Sequence, residues 1–389
     1  SILIMKKHVK KIKKLAHKHR HVVFVGFLFL FVAVFLLYSK ELRVLIGYTP
    51  APEKVFKEED LNIKILFAGD IFLGRYMDRL SMSSSLSYTY PFSGLYTLER
   101  ENYDAWVGNL ECPVTEEQAT YDEQAKILKF SCRKDYLPEL KKYFDIVSLA
   151  NNHTDNMGAR AGIQETRENL NKAGIKYFGD YDNSVTTEVC KVITVKDFPI
   201  AFCGYHGVYR LPTQKELALI SEYSKYFVTI VLPHQGEEYG SRSNSFQKKI
   251  YRQMIDNGAD LVMGAHPHTI HEVEEYKGRA IFYSLGNFIF DQSAAITRKH
   301  LTVETNLFLP KYAGSYRNLD CGSIGSLECL EKAATLEIVK PSYSLQYKPI
   351  FTHADRDFVT KKESLTDAEY TKRLDSIGFS KLNESLKIR

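Results

Sequence analysis

Residues 62–75 read NIKILFAGDIFLGR. The apolar run Ile63 to Ala68 is interrupted only by Lys64 and stops at Gly69-Asp70. A short apolar run that breaks at glycine just before a carboxylate predicts a β-strand delivering Asp70 at its carboxyl end. The same shape recurs along the chain. Ala105–Asn109 leads to Glu111, and Ile146–Ala150 to Asn151-Asn152-His153-Thr154-Asp155. Phe227–Leu232 leads to His234, and Asp260–Met263 to His266-Pro267-His268. Further strands are expected at Lys176–Phe178, Val189–Val195, Ile200–Gly204 and Ala280–Tyr283. Helical patterns fill the intervals at Tyr136–Tyr143, Ala161–Ala173, Lys215–Ser224 and Ser245–Asn257. Strands that alternate with helices predict an α/β fold. Residues 301–351 read as strand-rich and irregular, and residues 352–389 as a charged, partly helical tail.

In open α/β sheets, ligands gather at the carboxyl ends of the strands. Five such ends would bring carboxylates (Asp70, Glu111), an amide (Asn152) and four imidazoles (His153, His234, His266, His268) into one crevice. Taken singly, each residue has a plainer reading. Asp70 could cap a helix, Glu111 could sit on the surface, and Asn151-Asn152 could form a turn. His153 or His234 alone would more often be a hydrogen-bonded structural histidine. The combination points instead to one metal centre, because a mixed His/Asp/Glu/Asn set suits Mn²⁺, Fe or Zn²⁺ rather than a thiolate site. One or two divalent ions are expected there, with the histidine pair at 266 and 268 supplying two ligands from one loop.

The segments ILFAGDIFLGR, WVGNLECPV, VSLANNHTDNMGARAG, AGIKYFGD, LPHQGEEYG, NGADLVMGAHPHTIHEVEEY and AIFYSLGNFIFDQ lie in order within residues 62–295. Together they resemble the poly-gamma-glutamate capsule synthesis protein family, membrane-anchored components whose outer domain is similar to metallophosphatases. The resemblance implies a four-layer α/β/β/α sandwich of the metallophosphatase type over residues 62–300, completed by residues 301–351. By motif, Asp70 matches the first metal carboxylate, Glu111 the bridging carboxylate and Asn152 the amide ligand. His153 matches the histidine that protonates a leaving group, and His234, His266 and His268 match the imidazole ligands. Arg75, Asp155, Glu237 and Glu238 fit the family's own pattern as substrate-binding residues, with Arg75 suited to bidentate capture of a phosphate or carboxylate. One departure stands out. Metallophosphatases open with D-x-H, and here the third position is Phe72. One ion therefore lacks an imidazole, so a single metal or a weakly filled second site is expected. Implied partners are the gamma-linked polyglutamate polymer, an ATP-dependent amide ligase and small membrane subunits. No G-x-x-x-x-G-K-[ST] loop occurs, which assigns the nucleotide step to another protein. The alternative function is a free-standing, metal-dependent phosphoesterase acting on an extracytoplasmic phosphate ester.

The rest of the chain agrees with such a role. Its 389 residues are 44% hydrophobic and 25% charged, which fits a globular protein and excludes whole-chain disorder. The net charge of +5 is misleading. Residues 1–21 hold eight Lys/Arg and no acid, whereas the remainder holds 44 Lys/Arg against 47 Asp/Glu. A nucleic-acid binder would carry its positive charge on the folded part, so nucleic acid is not an expected partner. After the basic tail, residues 22–38 are seventeen apolar positions, enough for a helix of about 25 Å. They predict a transmembrane signal anchor in the bacterial cytoplasmic membrane. The basic tail would be inside, and a linker at residues 39–61 would lead to the domain outside. The six cysteines then lie in an oxidising compartment. Cys190 and Cys203 lie on neighbouring apolar runs of hairpin type, so theirs is the first bridge expected, with buried free thiols as the alternative.

Overall fold

The structure, a computed structural model, describes residues 59–312, 316, 319, 321 and 325–388. The expected anchor at residues 22–38 lies outside the described residues. Among the described residues, no helix is long and apolar enough to cross a membrane.

The fold is mixed α/β, built on two sheets. The opening run forms β1 (Glu59–Ile71) and is followed by β2 (Ala105–Leu110), β3 (Ile146–Ser148) and β4 (Lys176–Phe178). These four strands pair in parallel, with helices Leu137–Tyr143 and Arg160–Ala173 in the crossovers. The second sheet comprises β5 (Cys190–Val195), β6 (Phe198–His206), β7 (Val228–His234), β8 (Leu261–Met263), β9 (Val273–Tyr276) and β10 (Arg279–Phe282). Its order is β5-β6-β7-β8-β10-β9. The chain then returns to the first sheet as β11 (Asn287–Ile289), β12 (Lys299–Tyr312), β13 (Ser344–Ala354) and β14 (Thr360–Lys362). The first sheet runs β14-β13-β12-β1-β2-β3-β4, with β11 against the end of β1.

β1 shows why the sheets stack. Successive side chains of a strand point to opposite faces. Ile63, Ile65 and Phe67 join one apolar cluster with strands of the second sheet, whereas Leu66 and Ala68 join another with Leu140, Leu170 and Trp106. A central strand buried on both faces reads as a nearly continuous apolar run, as this one does. Helices Gln214–Ser224 and Ser245–Asp256 bring Leu217, Ile220, Met254 and Ile255 into the first cluster.

All six cysteines are paired, as Cys112–Cys132, Cys190–Cys203 and Cys321–Cys329. The second bridge joins opposed positions of the β5–β6 hairpin. Residues 301–351 are less irregular than the sequence suggested. They contain the long strands β12 and β13 and a helix at Ser326–Thr335. The C-terminal stretch packs onto the domain, with Phe379 and Leu382 buried and the Ile377 carbonyl accepting from the Val273 amide (2.7 Å).

The topology brings the carboxyl ends of both sheets to one place. Asp70 and Glu111 come from β1 and the end of β2, and His234 ends β7. The loop after β8 carries His266 and His268, bridged to His234 through Ala265. Asp70 registers with Asn287 of β11. This approach is so close that a Cβ at Gly69 would lie 1.8 Å from the Gly286 carbonyl oxygen. Only glycine lets β11 reach the end of β1.

Candidate metal centre

Asp70, Glu111, Asn152, His153, His234, His266 and His268 are all buried in one cluster. Its hub is Glu111, wholly inaccessible to solvent, with neither carboxylate oxygen hydrogen-bonded. Around it stand two groups of donors, Glu111/His234/His266 and Asp70/Glu111/His268, each fitting within 4.8 Å.

The separations are compatible with ligands that share a cation. Donors about 2.1 Å from a shared cation, at right-angled to tetrahedral geometry, lie roughly 3.0–3.4 Å apart. In the first group, His234 Nε2 is 2.9 Å from Asn152 Oδ1, 3.2 Å from His266 Nδ1 and 3.7 Å from Glu111 Oε1. In the second, His268 Nε2 is 3.8 Å from Glu111 Oε1. Two buried carboxylates, an amide oxygen and three imidazoles thus converge, and Glu111 belongs to both groups. The donor set fits a divalent cation.

Supporting residues hold these ligands in place. Asn109 Nδ2 donates to Asp70 Oδ1 (2.7 Å) and lies 3.2 Å from His234 Nδ1. Asn151 Nδ2 donates to Asn109 Oδ1 (3.0 Å) and to the Leu110 carbonyl (2.9 Å). Asn151 Oδ1 accepts from the His153 amide (3.1 Å). Asn287 Oδ1 lies 2.8 Å from His268 Nδ1, which fixes that nitrogen as the donor and leaves Nε2 facing Glu111. Amides behind metal-type histidines set the tautomer in this way. The backbone contributes too. His266 and His268 adopt left-handed φ values of 95° and 60°. Non-glycine residues in this region cost about 1–3 kcal/mol each, a strain that collects at functional sites.

Burial governs the charges. It raises the Glu111 carboxyl well above its usual range, reinforced by the charges of Asp70 and Glu238. It pushes the His153 imidazole down to about 4 and that of His266 down to about 3, and it lowers His234 strongly. The histidines are therefore neutral at pH 7, with lone pairs available to a cation.

His153 stands at the rim of the cluster. Its Nε2 is 3.9 Å from Glu111 Oε1, and its Nδ1 is 2.9 Å from Asn156 Oδ1, which accepts the ring proton. Nε2 thus presents a lone pair. Phe130 stacks on the imidazole at 4.0 Å, and Phe72 stacks on Phe130 at 4.1 Å. Phe72 is thus part of an aromatic column, where a D-x-H motif would place an imidazole.

The four expected substrate-binding residues differ in placement. Arg75 lies 5.2 Å above the Phe130 ring, but Asp291 already binds its guanidinium bidentately. The bidentate surface expected to meet a substrate anion is therefore taken, because Asp291 reaches it from the far end of the matching segments. Asp155 is half-buried, 3.4 Å from the Tyr209 hydroxyl, which also donates to the Asn152 carbonyl (2.7 Å). Glu237 and Glu238 are exposed on the loop after His234, with the Glu238 charge acting on Glu111. Sequence reasoning did not single out Asn109, Asn151, Asn287 or Asp291. Each lies within or beside a quoted motif, two residues before Glu111 in the case of Asn109, but an asparagine in a strand end carries no signal of its own.

Comparison with known proteins places these motifs. The family model described as bacterial capsule synthesis protein PGA_cap matches residues 64–292. The chain is 30% identical over 323 residues to the PGA biosynthesis protein CapA of Bacillus subtilis, covering 77% of this chain and 80% of that protein. It is 27% identical over 280 residues to the capsule biosynthesis protein CapA of Bacillus anthracis, covering 67% of each. Among solved structures, one described as a novel phosphatase from Mycoplasma pneumoniae matches with a TM-score of 0.41 and 13% identity, over 77% of this chain and 97% of that one.

Proposed function

Because the chain belongs to the bacterial capsule synthesis protein family, we propose that it binds or processes gamma-linked polyglutamate during capsule assembly, through a divalent-cation centre. The observation that carries the centre is Glu111. A fully buried carboxylate with no hydrogen bond is costly unless a cation compensates it. Asp70, Glu111, Asn152, His234, His266 and His268 would hold the cation, of the Mn²⁺, Fe or Zn²⁺ class. The finer fold reading, a four-layer sandwich of the metallophosphatase type, is supported by the two apolar clusters on opposite faces of β1.

A bound cation of this kind supplies Lewis acidity toward a carbonyl or phosphoryl oxygen. The chain's own residues do the rest. His153, held by Asn156, offers Nε2 as a proton acceptor beside Glu111. Phe130 and Phe72 close that side with apolar surface, and Arg75 is fixed over both rings by Asp291. We further read residues 22–38 as the anchor that places this domain outside the cytoplasmic membrane, beside an ATP-dependent amide ligase and small membrane subunits. A second reading, a metal-dependent phosphoesterase, rests on the place of His153 at the rim of the cluster, although its neutral imidazole would accept a proton there rather than give one to a leaving group as the motif implied. Turnover of a generic phosphodiester, abolished by His153→Ala with the fold retained, would select it.

Elemental analysis tests the centre. The wild-type chain should carry about one or two divalent ions, and the His266→Ala/His268→Ala variant should carry none. A folded wild-type chain that takes up no divalent ion would overturn the proposal.

A further inference from the structure

Two cavities adjoin beyond the loop that follows His234. One, of about 250 Å³, is lined by residues including Arg242, His271, Ile296 and Lys299. The other, of about 340 Å³, is lined by residues including Arg298, Lys299, His353 and Glu363. Both are also lined by Arg373, so Lys299 and Arg373 join them into one groove.

The charge of this groove is one-sided. Its acids are already matched. Glu363 pairs with Arg373 at 2.9 Å, and Glu272 pairs with Lys248 at 3.2 Å. Three cations are left over. Among the described residues, no carboxylate lies within ion-pair distance of Arg242, Arg298 or Lys299. The Arg298 guanidinium donates only to the carbonyls of Ser293 (3.2 Å) and Ala354 (3.0 Å), which fix its direction without offsetting its charge. By contrast, Arg210 is bound by Glu216 (2.8 Å), and Lys248 by Glu272 (3.2 Å). The groove is therefore cationic, on a chain whose acids outnumber its bases beyond residue 21.

Residues lining the groove lie close in sequence to those of the centre. Arg242 follows the Glu237–Gly240 loop, whose Gly240 carbonyl lies 2.9 Å from His271 Nε2, three residues past His268. Ile296 adds an apolar patch, 47% exposed.

We propose that this groove is the track on which a polycarboxylate chain lies as it approaches the centre. The proposal rests on the polymer reading above and specifies where the polymer is held. A gamma-linked glutamate residue presents one free carboxylate and has two methylenes in its backbone. Regular carboxylates suit the row Arg242, Lys299 and Arg298, and the methylenes suit Ile296. Recognition by exposed cations of this kind speeds and orients encounter and weakens with salt.

The test is equilibrium binding of a synthetic gamma-linked glutamate oligomer to the whole chain at low ionic strength. Arg242→Gln/Lys299→Gln should weaken binding about tenfold and flatten its salt dependence, with unchanged thermal melting. Lys172→Gln, a surface change of like charge, should bind as wild type. Wild-type binding that the double variant retains would overturn the track and leave the polymer reading standing. Failure of the wild-type chain to bind the oligomer would overturn both. Tighter binding of inorganic polyphosphate than of the oligomer would assign the groove to phosphate polymers and overturn the carboxylate assignment.

Discussion

Arg75 and Asp291, 216 residues apart in sequence, form a bidentate ion pair in which Asp291 also accepts from the Tyr76 amide (2.8 Å). The pair ties the start of helix Arg75–Ser83 to the segment after β11, and so closes the domain beside the centre. The Asp291 side chain is fully buried and that of Arg75 is 16% exposed. Removing one partner strands a largely buried charge, which typically costs about 3–5 kcal/mol. Asp291→Ala should therefore lower stability by about 3 kcal/mol. A double-mutant cycle with Arg75→Ala, measured by denaturant unfolding, should recover most of that loss as coupling. Additive effects would refute the role of the pair.

Glu111→Gln should separate stability from metal uptake. In the metal-free chain, Glu111 and Asp70 are crowded acids, and burial pushes the Glu111 carboxyl well above its usual range. Neutralising it should raise the melting temperature of the metal-free chain by the equivalent of about 1–2 kcal/mol. It should also abolish metal binding measured by elemental analysis. In the wild type, a cation would favour the ionised carboxylate that burial disfavours, so affinity should increase with pH. Calorimetry in buffers of different ionisation enthalpy should show proton release that Glu111→Gln lacks.

His300 offers a pH effect away from the centre. It is buried on β12, and burial, followed by the nearby charge of His353, pushes its imidazole down to about 3. An unfolded histidine titrates near about 6.5. Between these values the unfolded chain binds a proton that the folded chain refuses. Stability is therefore complete above about pH 6.5 and is lost as pH falls toward about 3. The slope from this one group is about 1.4 kcal/mol per pH unit. His300→Gln should remove it, giving a shallower acid limb in urea melts. An unchanged limb would contradict the linkage.

The Cys112–Cys132 bridge closes a loop with a sequence separation of 20, for which the chain-entropy estimate is about 3 kcal/mol. Cys112 follows Glu111 directly, and Cys132 is two residues past Phe130, the ring stacked on His153. The Cys132 sulfur also accepts from the Leu73 amide at 3.2 Å. Cys112→Ala/Cys132→Ala should lower stability by about that amount and weaken metal affinity as well. The same substitutions at Cys190 and Cys203, within the β5–β6 hairpin, should lower stability alone.

Much of this molecule was legible in its sequence, for a physical reason. The strands that carry the centre are buried on both faces, so they read as apolar runs, and their ligands are chemically distinctive residues at the breaks. Asp70, Glu111, His153, His234, His266 and His268 could be named because carboxylates and imidazoles stand out there, and Asn152 because it precedes His153 in the same motif. Asn109, Asn151 and Asn287 could not, because an amide's role depends on where its two ends point in three dimensions. Arg75 was visible but its partner was not, since nothing local links it to a residue 216 positions away. The helix at Ser326–Thr335 carries too slight an apolar stripe to be read from its spacing, since it buries only Cys329 and Ala333.

The turn His266-Pro267-His268 has one further consequence. His266 belongs to one donor group, His268 to the other, and Glu111 to both. The two imidazoles sit two positions apart in a backbone held at left-handed φ values, so a change in one is expected to disturb the other. If the proposed centre binds cations, filling either position would preorganise its neighbour, and distorting the turn would empty both. The proposed centre would behave as a single latch with two bolts.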